Sequence, residues 1–241
     1  MRNLTLADHL EELRRRLGVS LLALITTSAL SLVFVERLIA WLQRSAAWWL
    51  PRFAYFTPTE PLIAYAKVAL LAGIMLAMPL ILWQGWAFVR PALKPRERSA
   101  GRLFVLWGTA QFLAGAALAY YVLLPLSLRV LLGIGAPRLL PVISIDRYLG
   151  FVTTLVFWTG IIFELPVVIV LLARVGVVTP EWLRQQRPYA ILVLVILAAL
   201  LTPTTDPLTL LLVAVPLTGL YELSLLLARL VRPHQSARST A

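Results

Sequence analysis

At 241 residues the chain is 60% hydrophobic and only 14% charged, with a formal net charge of +11. So few polar side chains cannot coat an ordinary soluble domain of this length. There is no cysteine, which removes disulfide frameworks and thiolate chemistry, and basic residues divided among separate loops, with no recognition helix or base-stacking module, argue against nucleic acid as a partner.

The amino-terminal arm opens with Thr5-Leu6-Ala7-Asp8, where the threonine can cap a helix while Asp8 reaches back in a capping-box manner. Leu6, Leu10, Leu13 and Leu17 recur at helical spacing beneath a face holding Glu11, Glu12 and Arg14 to Arg16. This arm is expected to lie against a bilayer before the first span. Glu12 has two readings: it pairs with Arg15 or Arg16 one turn away, or it offers a carboxylate for bidentate recognition of a substrate arginine.

Charge-poor apolar stretches then recur at 17–35, 68–89, 103–128 and 149–173. Most can cross a hydrocarbon core of about 30 Å as helices rising about 1.5 Å per residue. No convincing small-residue cleavage site follows 17–35, so it reads as a span rather than a signal peptide. Two less regular stretches, 189–201 and 208–228, complete a pattern of six.

Between the first two spans, 36–65 forms a large loop with Leu38, Ile39, Trp41, Leu42, Trp48 and Trp49 beside Arg37 and Arg44. That is the chemistry of an interfacial helix or folded external cap. Pro51 and the run Thr57-Pro58-Thr59-Glu60-Pro61 restrict the backbone before the second span. Glu60 serves helix entry or joins an external polar rim. The next connection concentrates Arg90, Lys94, Arg96, Arg98 and Arg102, with two prolines that stop a continuous helix and Glu97 as a lone carboxylate. Glu97 reads as an internal salt bridge or as an acceptor for an incoming cation, jointly with Glu12.

Summed by face, the amino-terminal side of the spans carries 15 Lys and Arg against 7 on the other. Both termini are therefore expected in the cytoplasm. Topology and anionic headgroups explain most of the net charge; a docking surface for an anionic partner is the functional alternative.

The order of motifs resembles the TatC family, the signal-recognising membrane subunits of the twin-arginine protein-translocation system. The resemblance rests on His9-Leu10-Glu11-Glu12-Leu13-Arg14-Arg15-Arg16-Leu17, Trp86-Ala87-Phe88-Val89-Arg90-Pro91-Ala92-Leu93, Glu97-Arg98, Phe163-Glu164-Leu165-Pro166, Leu183-Arg184-Gln185-Gln186-Arg187-Pro188-Tyr189, Leu201-Thr202-Pro203 and Leu220-Tyr221-Glu222. It implies a receptor for folded cargo bearing an arginine-pair signal peptide, driven by the proton-motive force and without enzymatic activity or cofactor. Small single-span Tat subunits, membrane lipid and further copies of the chain in a receptor complex are the implied partners, and the bacterial inner membrane is the implied location. Glu12, Arg14 and Glu97 match its signal-recognition positions. At Leu210 the chain departs from the family, which often has glutamine there.

Glu164 is the strongest polar anomaly inside a span, and it is expected to face helices, water or a polar cavity rather than lipid. A structural hydrogen bond and a transport-related polar surface are both open for it; the resemblance favours the second, with Gln84 as a further intramembrane polar residue. The stretch 189–201 spans 13 residues, about 20 Å of helix, and Thr202-Pro203-Thr204-Thr205-Asp206-Pro207 supplies a reversal. It reads as a locally short hairpin or as a thinned translocation surface.

The expected architecture is an all-α membrane protein of six transmembrane helices with an external interfacial-helix cap. One membrane domain covers 1–233 and a short cytoplasmic tail covers 234–241. The competing classes are a small-solute or ion secondary transporter, proton-coupled through Glu164, and a purely structural membrane subunit. A soluble enzyme lacks support, because there is no nucleotide-binding glycine motif or clustered catalytic constellation.

Overall fold

The structure, a computed structural model, describes residues 6–46, 53–93, 98–135, 142–201 and 207–230. Thr5, Trp48, Trp49, Pro51, Glu97, the reversal at 202–206 and the tail at 234–241 lie outside the described residues. Among the described residues the chain is helical, and strand-like pairing is confined to an isolated bridge between Ala54 and Ser144. Five helical runs are long and apolar enough to cross a membrane: His9–Leu32, Glu60–Ala92, Gly101–Gly133, Ile145–Val175 and Val213–Leu230. The stretch expected as a fifth span is a shorter apolar helix, Arg187–Leu200. The chain divides into two compact units, 1–161 and 162–241.

In the first unit, helix α1 (Leu6–Leu32) runs unbroken from the arm into the first span. This corrects the arm expected along the bilayer surface. No proline interrupts the run and Gly18 is tolerated within it, so nothing redirects the chain before it enters the membrane. Helix α1 packs along α3 (Glu60–Val89), and the contact is close because Gly73 has no Cβ. One there would collide with Ser28, while Thr27 Oγ1 donates to the Gly73 carbonyl at 2.8 Å. Small residues that admit a neighbouring backbone are the usual basis of helix pairing in lipid.

After a turn at Val33 and Phe34, the short helix α2 (Val35–Gln43) buries Val35, Ile39 and Leu42. The last carbonyls of a helix run short of partners within it, and here two tyrosines reach one each, the Trp41 carbonyl accepting from the Arg44 N–H as well. Tyr120 Oη donates to the Trp41 carbonyl at 2.6 Å and Tyr148 Oη to that of Leu42 at 2.8 Å. The Tyr120 and Trp41 rings also stack, with centroids 4.0 Å apart.

Helix α4 (Gly101–Leu118) continues through a π turn over Ala119–Leu123 into α5 (Leu124–Gly135). Pro125 explains the turn: it lacks the N–H for an i−4 bond and its ring crowds the Tyr121 carbonyl, and an inserted residue in the ladder relieves both. Helix α6 (Ile145–Phe163) follows. Its start is fastened to the loop before α3 by Ile145 N–H to the Ala54 carbonyl at 2.9 Å, and to α3 itself by Ser144 Oγ to Glu60 Oε2 at 2.5 Å and by the ion pair Lys67–Asp146 at 2.7 Å.

The second unit holds α7 (Leu165–Val175), α8 (Pro180–Gln185), α9 (Arg187–Leu201) and α10 (Pro207–Leu230). Gly176, at φ 85°, ends α7 in the left-handed region, with Val177 N–H returning to the Leu172 carbonyl at 3.0 Å. Thr179 caps α8 by accepting from Trp182 N–H at 3.2 Å. Helix α10 packs on α7 and α9 and is tied to their connections by Tyr221 Oη to the Leu183 carbonyl at 2.6 Å and by Arg187–Glu222 at 2.6 Å.

Candidate functional site

A helix repeats every 3.6 residues, so Glu12 and Arg16 lie one above the other on α1. The Arg16 guanidinium donates twice to one carboxylate oxygen, Glu12 Oε1, from Nε at 3.1 Å and from Nη2 at 2.5 Å. Its remaining nitrogen, Nη1, donates to Gln84 Oε1 on α3 at 3.3 Å. Both side chains of the ion pair keep 19% of their surface exposed, so the pair is half-sheltered yet reachable. One turn before Glu12, His9 stacks on Phe88, with centroids 4.4 Å apart and planes 24° apart. The amino-terminal end of α1 is thus held to the carboxy-terminal end of α3 by a ring stack and a guanidinium bridge.

Arg14 is exposed. Two residues from both Glu12 and Arg16, it points about 200° away around the helix, so the structure does not gather it with them. Glu97 lies outside the described residues, but its connection is anchored on either side. A 3-10 turn at Arg90–Ala92 leads to buried Leu93, and Gly101 sits against the Trp86 indole, where a Cβ would collide with the ring. Trp86 itself is buried and tilts against Phe104 at 5.0 Å. The start of α4 is therefore seated against the last turns of α3.

Gln84, expected to be an intramembrane polar residue, finds its partner in Arg16 at this end of α3. The bridge was not legible in the sequence, because 68 residues separate the two and only a glutamine facing a known arginine-bearing helix could have suggested it. The stack of His9 on Phe88 had a fainter signal in two aromatic rings sitting in the two motifs.

Glu164 lies at the break between α6 and α7, where Pro166 in the first turn of the next helix prevents a continuous ladder. It is 7% exposed, and among the described residues neither carboxylate oxygen has a hydrogen-bond partner. The side chain is packed among protein atoms. The Glu222 carboxylate in α10 pairs with Arg187 instead. Among the described residues no group of side chains is arranged to hold a metal ion.

Residues 8–216 match the family model described as TatC, Sec-independent protein translocase protein. A Sec-independent protein translocase protein TatC from Aquifex aeolicus (strain VF5) is 39% identical over 229 residues, covering 93% of this chain and 95% of that protein. A TatC from Carboxydothermus hydrogenoformans is 35% identical over 232 residues, covering 96% of each. A crystal structure of a twin-arginine translocase receptor TatC superposes with a TM-score of 0.83 at 36% identity, covering 92% of this chain and 99% of that one.

Proposed function

The chain belongs to the TatC family, and from that premise we propose that it is the twin-arginine signal receptor and core membrane subunit of a Sec-independent translocase. As such it is a transport protein and not an enzyme, moving folded cargo at the expense of the proton-motive force. The observation that carries the reading is Glu12: a half-sheltered carboxylate that already accepts a guanidinium, at 2.5 Å. A carboxylate that accepts one guanidinium has the chemistry to accept another.

Glu12 and Glu97 form two parts of one acidic recognition surface, and Arg14, exposed beside them in sequence, contacts the signal backbone or orders the acidic loop. The ends of α1 and α3 that bear this surface face the cytoplasm, with both chain termini, in the bacterial inner membrane. Helix α2 and the bridged loops at Ala54 and Ser144 then form the external cap, and α9 is a sixth, short span. Glu164 belongs to a polar region within the membrane that acts after recognition. Small single-span Tat subunits and further copies of the chain complete the passage, because folded cargo exceeds any channel that one six-span chain could enclose.

The test is competition for binding. A peptide with an intact arginine pair should displace a labelled signal, and a matched lysine pair should do so poorly, since only guanidinium presents a planar fork to a carboxylate. Equal competition by both peptides would sink the reading.

A further inference from the structure

We propose that Arg16 is a resident competitor for the signal-binding carboxylate: its guanidinium occupies Glu12 in the empty receptor and must be displaced by a signal arginine. The inference rests on the reading of Glu12 given above. Arg16 places Nε and Nη2 on the same oxygen, Oε1, while Nη1 is held by Gln84 on the neighbouring helix. Bidentate recognition of an incoming guanidinium needs both carboxylate oxygens. One of them is already filled by the same chemical group that the ligand would bring.

Gln84 makes the exchange feasible. When Arg16 leaves Glu12, its charge stays half-sheltered beside α3, and the amide oxygen retains one hydrogen bond to it. A neutral amide is the weaker acceptor, so the resting balance favours Glu12. The receptor's apparent affinity is reduced by the fraction of time that Glu12 is free, and that factor is the same for every ligand that needs the free carboxylate. Arg16 therefore sets the affinity threshold a signal must pass, and weak signals fall below it.

The experiment measures binding of two synthetic peptides, with an arginine pair and a lysine pair, to the full chain in lipid nanodiscs. Arg16→Gln should tighten both by the same factor of about five, the equivalent of releasing an ion pair at the upper end of the exposed range. Gln84→Glu leaves Arg16 in place but offers it a charged second seat, and should also tighten binding. The double variant should bind no tighter than Arg16→Gln alone, because the carboxylate introduced on α3 acts only by drawing Arg16 away. Should Arg16→Gln fail to insert, Arg16→Met takes its place in both the single and the double variant. Weaker or unchanged binding in both single variants, with Glu12→Gln abolishing it, overturns the competitor and leaves Arg16 as a support for Glu12. A further gain in the double variant overturns it too, since the introduced carboxylate would then be binding the signal directly. Undiminished binding in Glu12→Gln removes the underlying assignment of Glu12 as well.

Discussion

Glu164 shows how much a single side chain can demand of its surroundings. A carboxylate at 7% exposure, with both oxygens lacking a partner among the described residues, is costly to keep ionised in any apolar setting. Packing alone would favour leucine or glutamine there, so its presence points to use. Glu164→Gln keeps the shape and removes the negative charge. Signal binding should be unchanged, while cargo movement at matched protein abundance falls by about tenfold, or ~1.4 kcal/mol of barrier. Normal movement would end the proposed role, and loss of the folded protein in place of transport would assign Glu164 to structure.

Among the elements, α9 departs furthest from a standard span. Its 15 residues reach about 22 Å, against a hydrocarbon core of about 30 Å. Leu192, Val193, Ile196 and Leu200 are exposed along it, so its apolar surface is offered to lipid or to a partner helix and not consumed inside the unit. If α9 spans, the bilayer beside it must thin, or the helix must sit to one side. Spin labels at Leu192 and Leu200, read for depth together with local lipid thickness, should place both within a core thinned by several ångströms. An undisturbed bilayer with full thickness between the helix ends would reject thinning.

The same scale shows what a sequence can carry. Hydropathy located the apolar middle of each of the five long helices, because transfer to lipid is a property of composition. It placed the start of α3 eight residues late, at 68 rather than Glu60, since the helix continues past the apolar core through Pro61 and Lys67. It also stopped the third span at 128, whereas α5 runs to Gly135. The two tyrosine hydroxyls that reach the end of α2 depend on contacts made far along the chain, such as the 106 residues between Leu42 and Tyr148. Of the candidate site, helical spacing alone gave Glu12 a partner at Arg15 or Arg16, and the structure selects Arg16. The same spacing sets Arg14 away from Glu12, whereas the link to Gln84 required the packing of α1 on α3.

At the scale of the whole molecule, orientation follows from charge and can be tested apart from any site. Counted over the six spans proposed, 15 Lys and Arg fall on the amino-terminal face and 7 on the other, so the preference comes from many loops and no single arginine decides it. The basic connection between α3 and α4 is the densest contributor, with Arg90, Lys94, Arg96, Arg98 and Arg102 in a short segment. Reporters fused after the tail and inserted near Arg44 should report opposite sides of the inner membrane, the tail inside and Arg44 outside. Neutralising the five basic residues of that connection together should leave most molecules correctly oriented, because the arm and the two later segments proposed for the same face still carry ten. Single neutralisations there should leave topology intact. A tail reporter found outside would reverse the assignment of every loop, and with it place Glu12 on the face from which no cytoplasmic signal could reach it.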